Sequence, residues 1–109
     1  MKKFVCPIPA ALLLLVLTST SVWAHGMSIF AYVDNQVVYT ESYFSNGQAV
    51  RQGRVLVFDS ERNPLLEGET DDEGLFDFPV PKIDDLTLVI EAGMGHKAVF
   101  VLEKSAVQE

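Results

Sequence analysis

Cysteine is almost missing from this sequence. The single one, Cys6, lies in the first 24 residues, which read as a removable leader, so the remaining chain is expected to hold no disulfide and no thiolate metal site. Positive charge is scarce too: 8 basic side chains face 15 acidic ones, for a formal net charge of −7. The first 24 residues carry Lys2 and Lys3 and no acid, so the remaining 85 hold 6 basic and 15 acidic groups, net −9. A surface of that sign repels phosphate backbones and excludes nucleic acid as the expected partner, while it favours cations and basic partners. Histidine occurs twice, at His25 and His96. No segment after residue 24 keeps a helical apolar period through three turns, and no repeat or low-complexity stretch is present. Eighty-five residues make one small domain, which rules out a large two-domain enzyme.

The start of the chain has the form of a secretory signal. Met1-Lys2-Lys3 is a short positive segment, residues 4–17 are apolar, residues 18–21 are polar, and Val22-Trp23-Ala24 puts small side chains where a signal peptidase reads them. The apolar run is shorter than the roughly 20 residues of a spanning helix, and Pro7 and Pro9 weaken it further. Cys6 precedes the run, whereas a lipid-modified cysteine would follow it. The expected organisation is a signal peptide at 1–24, a β-sandwich domain at 25–104 and a frayed tail at 105–109, in a periplasmic protein. Cleavage after Ala24 would make His25 the first residue. Its free α-amine and imidazole Nδ1 would then close a six-membered chelate ring on a transition metal.

Seven short apolar segments follow, separated by turn residues: 27–33, 36–44, 54–59, 65–70, 75–80, 86–92 and 96–103. Asp34-Asn35, Ser45-Asn46-Gly47, Asp71-Asp72-Glu73-Gly74 and Gly93-Met94-Gly95 are the clearest turn signals. Seven strands at this spacing predict an all-β, seven-stranded antiparallel sandwich of the immunoglobulin or transthyretin kind. The expected core is Phe58, Phe76, Phe78, Leu88, Ile90 and Phe100. The acidic clusters at 71–73 and 84–85 fall in turns, where solvation and resistance to aggregation explain them.

Residues 68–78, Gly-Glu-Thr-Asp-Asp-Glu-Gly-Leu-Phe-Asp-Phe, resemble the G-x-T-D-x-x-G-x-F-x-F signature of carboxypeptidase-regulatory-like domains. The physics of the motif is simple. Asp71 can accept backbone N–H bonds across the turn, Gly74 supplies a positive φ, and Phe76 and Phe78 enter the core. The resemblance concerns an accessory domain without catalytic residues and implies no peptidase activity. A narrower resemblance adds Ala24-His25-Gly26 and residues 91–98, Glu-Ala-Gly-Met-Gly-His-Lys-Ala. With these the chain is similar to the small periplasmic component of nickel/cobalt energy-coupling-factor (ECF) transporters, the NikL or CbiL type. Some relatives of that type carry a C-terminal membrane helix. None is read in this sequence, so membrane tethering does not carry over.

Parity brings the candidate residues to one end. If each connection reverses direction, the N-terminus and the turns at 45–47, 71–74 and 93–96 share a pole. His25, His96, Met94, Met27 and the acidic turn then meet there. Amine and imidazole nitrogens suit nickel, cobalt, copper or zinc better than hard cations. The candidate metal ligands are His25, His96, Met94 and Asp71, with Asp72 or Glu73 as alternative oxygen donors. Each has a plainer explanation: a terminal residue for His25, a hairpin-end hydrogen bond for His96, end packing for Met94. No cysteine nucleophile, metallopeptidase motif or Ser/His/acid spacing stands out, so no enzyme is expected. The expectation is an accessory protein that binds nickel or cobalt and relays it to membrane subunits of a transporter. The alternatives are a docking module without its own metal, contacting through the 93–95 turn, and a copper-handling protein using its terminal histidine. No small-molecule substrate is evident.

Overall fold

The computed structural model describes residues 26–108. Its strands are β1 (Met27–Asp34), β2 (Val37–Phe44), β3 (Arg54–Phe58), β4 (Pro64–Glu69), β5 (Leu75–Pro79), β6 (Leu86–Glu91) and β7 (Lys97–Leu102). One helical turn, α1 (Lys104–Val107), follows. The strands form two antiparallel sheets, ordered β1-β2-β5 and β4-β3-β6-β7. The protein is an all-β antiparallel sandwich, and every expected strand is present within one or two residues of its expected bounds.

Local chemistry accounts for the connections. β1 and β2 are joined by Asn35 and Gln36, both at positive φ (51° and 68°), the backbone of a two-residue turn whose twist matches the strands it links. The β4–β5 turn is held by Asp71 and Gly74. Asp71 Oδ1 accepts from Glu73 N and Leu75 N at 2.8 and 3.0 Å. Gly74 sits at φ +80°, and a Cβ there would stand 2.5 Å from the Ser42 carbonyl oxygen. Thr70, buried beside this turn, donates to Val50 O at 2.6 Å and accepts from Gly53 N at 2.8 Å, tying the turn to the long β2–β3 connection.

The core lies between the sheets. Ile29, Ala31, Val38, Val55, Val57, Phe78, Leu86, Leu88 and Ile90 are buried there. Three of the six expected core residues, Phe78, Leu88 and Ile90, are among them. Phe76 and Phe100 are half-buried and pack against the cluster from its margins. Phe76 closes over Gly68 of the opposite sheet, where a Cβ would meet its ring at 2.4 Å. Phe100 lies on edge strand β7, its ring edge-on to Phe30 at 5.7 Å. Phe58 is the correction. Val55 and Val57 occupy the inward positions of β3, so the alternation of the strand turns Leu56 and Phe58 to the outer face. A second correction concerns the tail. Residues 104–107 form a helical turn whose Val107 is 1% exposed, because an apolar side chain there finds cover beside β1. Among the described residues no helix is long and apolar enough to cross a membrane.

Candidate functional site

The pairing registers put Met27 opposite Phe44, Glu41 opposite Leu75, and Arg54 opposite both Glu69 and Glu91, with Glu91 opposite Lys97. The starts of β1 and β5 therefore share one end of their sheet and those of β3 and β7 one end of theirs, and the contact between the Phe44 and His96 rings brings the two ends to one pole.

His96 closes the β6–β7 turn at this pole. Met94 and Gly95 are both at positive φ (67° and 79°), and Ala92 N donates to His96 O at 3.0 Å. The half-buried imidazole packs edge-on to the Phe44 ring, with centroids 6.0 Å apart and planes at 77°. Its other neighbour is Gly26, where a Cβ would lie 4.0 Å from His96 Nδ1. Gly26 is itself anchored, its carbonyl accepting from Ser45 N at 3.1 Å. A side chain at Gly26 would therefore begin at ordinary contact distance from Nδ1. His25 and the cleavage position after Ala24 lie outside the described residues.

The remaining candidates are placed differently. Met94 is 93% exposed at the tip of its turn, with no packing role over the sandwich end. Asp71 follows β4, whereas His96 precedes β7, and these are the two edges of the four-stranded sheet. Three strand spacings separate them, about 14 Å. Asp71 instead lines a different cavity with Tyr32, Tyr39, Glu41, Leu75 and Asp77, while Asp72 accepts from Gln52 Nε2 at 2.9 Å. Among the described residues no three His, Cys, Asp or Glu side chains are grouped to hold a metal ion. Parity brings residues to one end; it does not choose the corner.

One polar cluster was not expected from the sequence. Asp59, 2% exposed, accepts from Lys82 Nζ at 2.7 Å, from Asn63 N and Nδ2 at 2.9 and 3.0 Å, and from Glu61 N at 2.8 Å. The Lys82 ammonium first, then the Asn63 donors, hold its carboxyl well below the usual carboxylate range. Asp84 Oδ2 joins through Ser60 N and Oγ at 3.0 and 2.8 Å. This cluster braces the end opposite His96. Residues 60–64 read simply as a turn, and the pairing with Lys82 spans 23 positions of sequence, beyond the reach of any local signal.

No protein-family model matches the chain. It is similar to an uncharacterized protein of Haemophilus influenzae, 30% identical over 89 residues, which cover 79% of this chain and 55% of that one. The chain spans about half the length of the curated relative it matches. Among solved structures, a β-D-glucuronidase from Dictyoglomus thermophilum aligns with 72% of this chain and 14% of its own, at 13% identity and a TM-score of 0.39. A likeness of that size carries no functional argument.

Proposed function

We propose that the protein is a periplasmic, non-catalytic accessory component of nickel or cobalt uptake, of the NikL/CbiL type. It holds the divalent ion weakly at the His96 pole and passes it to membrane subunits of an ECF-type transporter. The observation that carries this reading is the position of His96, whose Nδ1 lies 4.0 Å from where a Cβ would stand on Gly26, the residue that follows His25 in the chain. A chain that begins at His25 would add an amine and a second imidazole, a nitrogen set suited to nickel and cobalt. The net −9 of residues 25–109 raises the local cation concentration around such a site. Met94 and Asp71 are not needed as ligands in this form of the proposal.

Calorimetry on untagged protein that starts at His25 tests it. Ni²⁺ or Co²⁺ should bind, and His96→Ala should weaken binding by tenfold or more. One residue added before His25 should also weaken it, because the amine becomes an amide. Unchanged binding by His96→Ala overturns the reading. A second reading, a docking module without its own metal that contacts through the 93–95 turn, is favoured by Met94, which stands 93% exposed at the tip of that turn. Absence of binding in the same experiment supports it.

A further inference from the structure

The three strands of the smaller sheet contain Asp34, Glu41 and Asp77 and no Lys, Arg or His at all. Its inner face is core. Its outer face carries two rows that cross the strands: Tyr32, Tyr39 and Asp77 in one, Phe30, Glu41 and Leu75 in the next. Tyr32 and Tyr39 stack at 5.3 Å and 22°, and Phe30 and Tyr32 are 54% and 45% exposed. Tyr32, Tyr39, Glu41, Leu75 and Asp77, with Asp71 at the rim, line a cavity of about 480 Å³. Neither Glu41 nor Asp77 is in an ion pair among the described residues, although Arg54, Lys82 and Lys97 all are, elsewhere on the molecule. Among the described residues, the Glu41 carboxylate accepts from the neighbouring Tyr43 hydroxyl, at 3.1 Å.

From this we infer that the outer face of the β1-β2-β5 sheet docks an extended, arginine-bearing segment of a partner polypeptide. The chemistry selects the occupant. The carboxylates are too dispersed to close on a bare metal ion. A guanidinium is flat, delocalised and weakly hydrated, so it stacks on a tyrosine face while its donors reach a carboxylate beside the ring. Tyr39 and Asp77 are direct cross-strand neighbours in the register, which is that pairing of ring and acid. Phe30 and Tyr32 are two residues apart on one strand, about 6.8 Å. Alternate side chains of an extended peptide repeat at the same interval, so a partner segment can fill both rows at once. Charge complementarity supports the same partner, since nothing basic on this face would repel it. The inference does not rest on the metal reading, because His96 precedes β7, which packs beside β1, the edge of the smaller sheet away from β5.

The test is a calorimetric titration of the untagged chain, at low salt, with an amidated peptide of alternating glycine and arginine. A glutamate-for-arginine peptide and free arginine amide serve as comparisons. The arginine peptide should bind, the glutamate peptide should not, and arginine amide should bind at least tenfold more weakly. Tyr32→Ala and Asp77→Asn should each weaken peptide binding fivefold or more, while Glu67→Gln on the other sheet and His96→Ala should change it less than twofold. Circular dichroism melts of the variants separate lost binding from lost folding. The proposal is overturned if the peptide does not bind, or if Glu67→Gln weakens binding as much as Asp77→Asn, which is general attraction to an acidic protein. It is also overturned if arginine amide binds as well as the peptide, which marks a small-cation site.

Discussion

Side-chain direction decides what each aromatic residue does. Phe78 and Phe58 both sit in strands and both read as core, yet Phe78 is 5% exposed and Phe58 is turned to the outer face. Phe78→Ala should therefore cost about 3–5 kcal/mol through lost burial and a cavity. Phe58→Ala should cost about 1 kcal/mol, the share of a half-buried ring; urea unfolding of the two variants measures the difference. Strict alternation made Phe76 and Phe78 legible as inward residues. The run Val55-Leu56-Val57-Phe58 offers no alternation, and only the partner strands choose its inner face. Ser42 shows the opposite imbalance. Its backbone is fully used, donating to Gly74 O and accepting from Val50 N, while its buried hydroxyl has no partner among the described residues. Ser42→Ala removes an unsatisfied group without opening much space, so the midpoint of denaturation should rise, by about 1 kcal/mol in stability.

At the scale of elements, the turns were readable and the contacts between sheets were not. Asp71 and Gly74 have short-range jobs, and their spacing announces them. Gly68 has a long-range one: it makes room for Phe76 from the other sheet. In the sequence it is simply a glycine inside a strand. Gly68→Ala should force the ring aside and destabilise the domain by about 1–3 kcal/mol, although alanine is otherwise the better strand residue. Calorimetric melting of this variant beside Gly93→Ala, whose Cβ meets nothing within 4 Å, separates crowding from the loss of glycine freedom. The short helix α1 was missed because four residues give no periodicity, and burial of Val107 is a tertiary effect.

The whole molecule has two differently built ends. One is braced by the Asp59–Lys82 pair, and the other carries His96. The bracing has a pH signature. Asp59 has a depressed folded-state pKa, so its contribution is present above the ordinary carboxylate pKa, near 4, and is lost as pH falls below it. Asp59→Asn should lower the melting temperature at pH 7, and the gap to the parent should narrow progressively as the pH is taken below 4. Melting curves across that range check the sign. A gap that stays constant with pH would mean that the carboxylate charge contributes nothing.

The same view of the molecule explains how much of the candidate site the sequence disclosed. Strand count and antiparallel connection are enough to bring His96 to the start of β1, and the structure puts it beside Gly26. They say nothing of lateral position, so they group Asp71 with His96 although it follows the other edge strand of the sheet. The aromatic and acidic outer face gives no local signal because its residues are scattered over β1, β2 and β5 and meet only through register. The measurement that bears most directly on the metal pole is a nickel titration of protein beginning at His25, followed by NMR. The account predicts that paramagnetic Ni²⁺ broadens the signals of His96, Gly26 and Phe44 first, and that Asp71 and Asp77 keep theirs. The effect should weaken in acid, because protons compete with the metal for its ligands. Broadening that starts at the acidic turn, or that leaves His96 untouched, would contradict it.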